Sequence, residues 1–493
     1  MGRIEEIQKE RQKKVNELRE LKIEPYPRRY DKENQALELQ EKFKNLKAGT
    51  KTKNHANIAG RVLVVRDLGK LIFATLQDDS GKIQIILQEG ETSNKEIKLF
   101  KKFVDSGDFI GVKGKIIKTK RGELSILAEK VQLLSKSILP LPEKWHGLKD
   151  DEERYRKRYL EMIAHPEVKE MFIKKAKFWH SIRNFLLEKG FVEVETPVFE
   201  NKTGGADAAP FVTHHNALDI DVYLRISMGE LWQKRLMVAG YEKTFEIGRQ
   251  FRNEGISHEH LQDYSQMEFY WAYADYNKAM GIVEEMYKKF TKDVLGSYKF
   301  KARGHSIDMN KKWKRVKYVD EIKRQTGIDI FKADESKLRA ELKKRKVQIE
   351  EFQERARLID YLWKECRKNI TGPCFIINPP VEICPLAKKN EKDPRVADRF
   401  WVLIAGSELG NGYSELNDPI DQEQRFIKQQ DMRDKGDQEA QMHDKEFVEA
   451  LKYGMPPTAG FGLSERVFAF LMDKPAREIQ MFPLLKPDEV KKS

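Results

Sequence analysis

The chain has 493 residues, with 92 Lys+Arg against 79 Asp+Glu, a formal net charge of +13. Hydrophobic residues at 40% and aromatics at 10% exclude wholesale disorder, and the length predicts several domains, each with its own core. No run of about 18 apolar residues is present and Met1–Glu20 lacks an apolar stretch, so a membrane span and a secretory signal are both excluded and a cytoplasmic address is expected.

Ile4, Ile7, Val15, Leu18 and Leu21 recur at helical spacing until Pro25 and Pro27 stop the pattern, which predicts one amphipathic helix in an extension over 1–55. Short β-rich runs follow at Ile58–Val65, Leu71–Leu76, Ile83–Leu87, Phe109–Ile117 and Leu124–Leu134. Asp79-Ser80-Gly81 and Arg121-Gly122-Glu123 are suited to the turns between them. Five strands in so short a space predict a small barrel over 56–148: an OB-fold of the kind used on single-stranded nucleic acid, or an SH3-like barrel. Leu139-Pro140-Leu141-Pro142 reads as a stiff linker.

The charge is concentrated at this end of the chain. Residues 1–55 hold 15 basic and 10 acidic side chains and residues 56–148 hold 16 and 11, so the first 148 residues carry +10 and the other 345 only +3. A basic front section suits a polyanionic partner. Cys366, Cys374 and Cys384 match neither a metal-binding pair nor a disulfide framework and read as buried or incidental thiols.

Residues 149–493 read as one mixed domain. Glu170–Lys189 is helical, Gly190 is placed to close that helix, and Phe191–Glu195 alternates as a strand. Residues 276–370 look like a helical insertion, after which Cys374–Asn378, Phe400–Ala405 and Tyr413–Leu416 return to β texture before a helix near Ser464. The fold class expected is α+β, with an antiparallel sheet. Neither a Walker A nor a Rossmann glycine pattern occurs.

In 245–271, alternation puts Phe245, Ile247 and Phe251 on one face of an outgoing strand and Met267, Phe269 and Trp271 on one face of the return strand. The opposite face carries Arg252, Glu254, Tyr264, Glu268 and Tyr270. Periodicity alone would equally suit a half-solvated sheet. Phe251-Arg252-Asn253-Glu254-Gly255, with Tyr264 and Met267-Glu268 beyond the loop, resembles motif 2 of the class II aminoacyl-tRNA synthetases. Gly204-Gly205-Ala206, Pro210-Phe211, Thr213–Asn216, Tyr223-Leu224-Arg225 and Gly410–Asp418 resemble the lysyl-tRNA synthetases in order and spacing, from about Ala56 to Pro487.

That resemblance implies an OB-fold anticodon-binding barrel ahead of a class II catalytic domain. It implies ATP-dependent activation of L-lysine, transfer to tRNA(Lys), bound Mg2+ and a homodimer formed through the motif 1 segment 170–197. It assigns Arg252 to catalysis and Arg252, Glu254, His260, Tyr264 and Arg466 to ATP. Gly205, Glu230, Glu268, Tyr270, Asn411 and Glu415 would bind lysine, Glu408 a magnesium ion, and Arg66, Phe73, Gln84 and Glu123 the anticodon, with Lys113, Lys115, Lys118, Lys120 and Arg121 along the phosphates. A cationic amino acid needs acids in its slot, and two anions brought together in line need a cation.

Three departures accompany the match. Trp401 stands where a second magnesium ligand is usual, Ser227–Glu230 is one residue longer than the common pattern, and Gly460–Arg466 is one shorter. They leave open a catalytically altered relative that binds RNA or lysylates a protein. His258 and His260 also admit a weak zinc reading.

Overall fold

The computed structural model describes residues 2–142, 150–206, 208–255, 260–349, 355–436 and 440–487. The chain forms two compact units, Met1–Lys149 and Asp150–Ser493. Strands are numbered along the chain.

In the first unit β1 (Lys51–Asp67), β2 (Leu71–Gln77), β3 (Lys82–Gln88), β4 (Phe109–Lys118) and β5 (Leu124–Ser135) close a barrel in the order β1-β2-β3-β5-β4. All pairs are antiparallel except β3 with β5. Alternation fills the barrel with Ile58, Val62, Ile72, Ala74, Leu76, Ile83, Ile85, Val112 and Ile126. The helix expected at the N-terminus spans Arg3–Glu20, buries Leu18 against the same core, and anchors through Arg11, whose guanidinium donates to the carbonyls of Ser106, Ser137 and Leu139.

A further helix, Asn94–Phe103, lies between β3 and β4. It begins with Ser93 accepting from Glu96 N–H at 3.2 Å, and Phe100 and Phe103 enter the core. Its start signal, Ser93-Asn94-Lys95-Glu96, is present in the sequence.

The second unit contains an eight-stranded sheet. Its strands and their small neighbours are β6 (Val192–Glu193), β7 (Phe199–Glu200), β8 (Val212–His215), β9 (Ile220–Leu224), β10 (Lys243–Phe251), β11 (Asp263–Ala272), β12 (Lys299–Ala302), β13 (His305–Asp308), β14 (Lys314–Lys317), β15 (Cys374–Ile377), β16 (Arg399–Ile404), β17 (Ser407–Ser414) and β18 (Thr458–Ser464). The sheet order is β14-β15-β16-β17-β18-β11-β10-β6, with β7-β9-β8 a separate sheet and β12-β13 a hairpin. Its centre is antiparallel as expected; the outermost pairs, β14 with β15 and β6 with β10, are parallel.

One face is apolar. Phe245, Met267, Phe269, Phe400 and Phe461 meet Phe178, Ile182, Met286, Tyr287 and Phe290 from the helices Pro166–Glu188 and Tyr276–Leu295. The helix Tyr276–Leu295 is therefore part of the sheet's core, and β14 is one of its strands. The helices Tyr318–Thr326, Glu335–Lys344 and Arg355–Arg367 instead build a second core that takes in Cys374, Ile376, Trp401 and Leu403 from the other face.

Gly190 closes the first long helix at φ +79°, with Phe191 N–H bonded to the carbonyl of Leu186. The strand expected at Phe191–Glu195 shortens to two residues. Thr196 leaves the sheet edge there, its N–H and hydroxyl both donating to Glu246 Oε2. β17 begins earlier than sequence texture suggests, because its glycines disguise it. A Cβ on Gly410 would lie 2.6 Å from the Phe461 ring, and one on Gly412 would lie 2.8 Å from Phe400. All three cysteines are buried.

Lys136 is fully buried in the barrel unit, its ammonium paired with Asp105 and Asp108 and donating to the Phe103 carbonyl. Lys136→Met leaves the buried Asp108 without a counter-charge, Asp105 keeping Lys14 at 2.8 Å, and is expected to cost about 3–5 kcal/mol, measured as faster hydrogen exchange across β1–β5 in the full chain.

Candidate active site and nucleic-acid surface

The polar face of the eight-stranded sheet is organised as two rows running across the strands. Register aligns Trp401, Asn411, Gly462, Glu268 and Glu246 in one row, and Arg399, Tyr413, Gly460, Tyr270 and Thr244 in the next. This is the face that alternation assigned to Glu268 and Tyr270, but it is not half-solvated: Glu268 is 5% and Tyr270 3% exposed. A cleft of about 370 Å³ opens over these rows. Of the sequence-predicted residues, Gly205, Glu230, Arg252, Tyr264, Glu268, Tyr270, Glu408, Asn411, Glu415 and Arg466 line it. Glu254 and His260 do not, although both lie in the connection between β10 and β11, and His258 with Glu259 lies outside the described residues. Among the described residues there is no cluster of three or more His, Cys, Asp or Glu side chains placed to hold a metal ion.

One end of the cleft is acidic. Glu268 accepts from Met228 N–H at 3.0 Å, from Gln266 at 2.6 Å and from the Tyr270 hydroxyl at 3.0 Å. Burial, reinforced by Glu230, pushes its carboxyl up to about 7 despite those donors. Burial also pushes Glu415 up to about 8, with Lys234 opposing the shift and Glu230 adding to it. The Tyr413 hydroxyl donates to Glu230. Room for these groups comes from β18, where a Cβ on Gly460 would overlap Glu415 Oε1 and stand 2.8 Å from Tyr270.

Gly205 adopts φ +86°, and a Cβ there would sit 2.7 Å from Ser227 Oγ and 2.8 Å from Glu230 Cβ. Its N–H donates to Gln441. Within Ser227–Glu230, Gly229 is left-handed at φ +65° and packed on Thr196, and Glu230 faces the cleft from the start of the helix Glu230–Val238.

The other end is basic and aromatic. Arg252 follows β10, donates to the Ile226 carbonyl at 3.3 Å, and has its guanidinium 5.9 Å from the Tyr264 ring centroid. Its buried Nε and the buried Asn411 Oδ1 have no hydrogen-bond partner among the described residues. Both are polar atoms that a ligand would satisfy. Despite the shortened turn, Arg466 reaches the cleft from the helix Arg466–Leu471.

Glu408 lines the cleft with its carboxylate turned by Trp363, whose indole N–H donates at 2.7 Å, and with Arg367 3.4 Å away. A carboxylate has about four lone-pair sites, so this one retains capacity for a cation. Trp401 offers no ligand atom; it packs on Tyr318 at 5.7 Å between centroids and under Arg399 at 4.6 Å. The residues present therefore suit magnesium held by one carboxylate, with phosphate and water supplying the remainder.

Sequence reasoning missed Gln266, Arg399, Tyr413 and Gln441, all of which line the cleft, and Lys234 behind it. Alternation does signal Gln266 and Tyr413, which share faces with Glu268 and Glu415. Gln441 is brought in by a loop and has no such signal.

On the barrel, Phe73 lies on the outer face, opposite the buried Ile72 and Ala74. Register sets it between Arg66 on β1 and Ile86 on β3, and sets Gln84 between Thr75 and Ser125. Ser125 Oγ donates to Gln84, and the exposed Glu123 immediately precedes β5. The four residues therefore share one patch, bordered by Lys115 and Ile117 of β4.

Residues 150–486 match the family of class II tRNA synthetases (D, K and N), and residues 56–134 match the OB-fold nucleic acid binding domain. Over 487 residues the chain is 46% identical to the lysine–tRNA ligase of Thermotoga maritima, covering 98% of this chain and 97% of that protein. It is 43% identical to those of Fervidobacterium nodosum, at 98% and 95% coverage, and Carboxydothermus hydrogenoformans, at 98% and 99%.

Gly460→Ala would push a methyl group into Glu415 and Tyr270. Its expected effect is a displaced Tyr270 and Glu415 with an intact fold, read as altered Tyr270 ring signals by NMR with unchanged far-ultraviolet circular dichroism.

Proposed function

The chain belongs to the lysine–tRNA ligases among the class II aminoacyl-tRNA synthetases, and on that premise we propose how its residues divide the work. The observation that carries the reading is the polarity of one cleft, with three carboxylates at one end and Arg252, Tyr264 and Arg466 at the other.

L-Lysine lies with its ε-ammonium among Glu268, Tyr270 and Glu415, and its α-ammonium by Glu230 and the Gly205 backbone. Its carboxylate accepts from the Asn411 side-chain N–H and from Arg252. Arg252 also holds the α-phosphate of ATP, so the two anions meet in line and without mutual repulsion. A carboxylate oxygen attacks the α-phosphorus and pyrophosphate leaves. The 3′-terminal ribose hydroxyl of the tRNA then attacks the carbonyl carbon, and AMP departs with the anhydride oxygen.

Adenine stacks between Tyr264 and Arg466. Glu254 and His260, near the hairpin loop, belong to the ATP side and would have to approach on nucleotide binding. Glu408 would hold Mg2+, which when bound neutralises phosphate charge.

Residues 1–55 and the barrel 56–148 form the tRNA-binding part, with Phe73 stacking on an unpaired anticodon base and Arg66, Gln84 and Glu123 reading its edge. Lys113, Lys115, Lys118, Lys120 and Arg121 supply the counter-charge for phosphates. Residues 149–493 form the catalytic part. Exposed Val192, Val198, Phe199, Val212 and Ile220 give β6–β9 an apolar surface that supports a homodimer formed near motif 1. No helix among the described residues is long and apolar enough to cross a membrane; the reduced, buried cysteines and a tRNA substrate suit the cytoplasm. Full-length similarity to lysine–tRNA ligases disfavours the reading of a silent or protein-lysylating relative.

L-Lysine-dependent exchange of labelled pyrophosphate into ATP tests the activation step. The wild type is expected to catalyse it, and Arg252→Ala to lower the rate at least a hundredfold; no exchange by the wild type would contradict the reading. Phe73→Ala is expected to leave exchange intact while cutting aminoacylation kcat/KM at least tenfold.

A further inference from the structure

We propose that Lys234 is a built-in counter-ion that sets the net charge of the amino-acid slot and thereby matches it to a substrate carrying two ammonium groups. The proposal rests on the reading of the cleft's acidic end as the lysine site.

Lys234 is 1% exposed and stands one turn along from Glu230 on the same helix. Its ammonium donates to Glu230 Oε1 at 2.8 Å and lies 2.6 Å from Glu415 Oε2. Tyr270, Tyr413 and Phe447 surround it, their ring centroids 5.9, 5.5 and 6.0 Å away. These come from β11, β17 and the helix Lys445–Lys452. The remaining charged groups nearby are Glu268, beside Tyr270, and Arg399, 5.7 Å from the Tyr413 ring. Burial pulls the Lys234 ammonium down, but Glu230 and Glu415 more than offset it and leave its pKa raised.

The charges then balance in a simple way. Glu230, Glu268 and Glu415 carry three negative charges when ionised, and Lys234 cancels one. Two remain for two incoming ammonium groups, while the substrate carboxylate is met separately by Arg252. Lys234 is a positioning residue: it sits behind the acids and holds Glu230 and Glu415 together across the helix and the sheet. With it removed, Glu415 loses the cation that holds its pKa down, takes up a proton more readily, and presents a neutral carboxyl to the substrate's ε-ammonium. L-Lysine would then have to displace that proton to bind.

The test is the KM for L-lysine and for ATP in pyrophosphate exchange by wild type, Lys234→Met and Lys234→Arg between pH 6.5 and 8.5. A rise of about one pKa unit in Glu415, from about 8, makes the Lys234→Met to wild-type ratio of lysine KM about tenfold at pH 6.5, shrinking to about threefold at pH 8.5. The KM for ATP should stay within about twofold. Lys234→Arg keeps the charge, so its ratio should not vary with pH even where the larger head raises KM throughout. A pH-independent ratio for Lys234→Met, equal rises in both KM values, or the same pH-dependent ratio for Lys234→Arg would overturn the proposal. If Lys234→Met does not fold, the flat ratio of Lys234→Arg remains the deciding result. Wild-type protein without lysine-dependent exchange would instead refute the reading of the site.

Discussion

Three carboxylates share one buried wall of this protein with a single resident ammonium, and that imbalance constrains much of the second unit. Buried charge is tolerated only when paired or protonated, and here burial has raised Glu268 to about 7 and Glu415 to about 8. The sheet gives these groups rigid positions. Glu268 and Tyr270 project from β11, Tyr413 from β17, and between them β18 presents Gly460 and Gly462, whose missing side chains leave the space the acids occupy. The opposite face of the same strands supplies the aromatic core that fixes them, through Phe269, Phe400 and Phe461. An apolar face thus holds a polar one in register.

The same constraint explains why the cleft has two ends. Arg252, a like charge to Lys234, lies beyond the end of β10, next to Tyr264, with one guanidinium nitrogen unsatisfied among the described residues. The helices Tyr318–Thr326 and Arg355–Arg367 modify the remaining edge. Their core takes in Trp401, and Trp363 turns Glu408 by a hydrogen bond. Trp401, at a position where the family resemblance leads one to expect a carboxylate, is a packing residue: its indole fills the seam between helices and sheet.

Much of this was legible in the sequence because period-2 alternation is a direct statement about faces. It separated Phe245 and Phe269 from Glu268 and Tyr270, and it gave five barrel strands. It could not say that the polar face was covered, since burial depends on what lies above the sheet. Lys234 escaped for the same reason: on a short helix a lysine four residues after a glutamate reads as an ordinary surface pair, and only β17 folding over it brings Glu415 within reach. Gly410 and Gly412 hid the start of β17 because low strand propensity outweighed the close ring contacts that require them. The helix Asn94–Phe103 had a readable start at Ser93, overlooked among charged neighbours, whereas Gln441 enters the cleft by a loop path that no local pattern encodes.

On the proposed division of the cleft, the acids at its end await two ammonium groups and are partly protonated until they arrive. Calorimetric titration of L-lysine into the nucleotide-free protein at pH 7, in two buffers of different ionisation enthalpy, counts the protons exchanged on binding. Release of about one and a half protons for each lysine bound is expected, as Glu268 and Glu415 ionise. Binding without proton release would contradict that division.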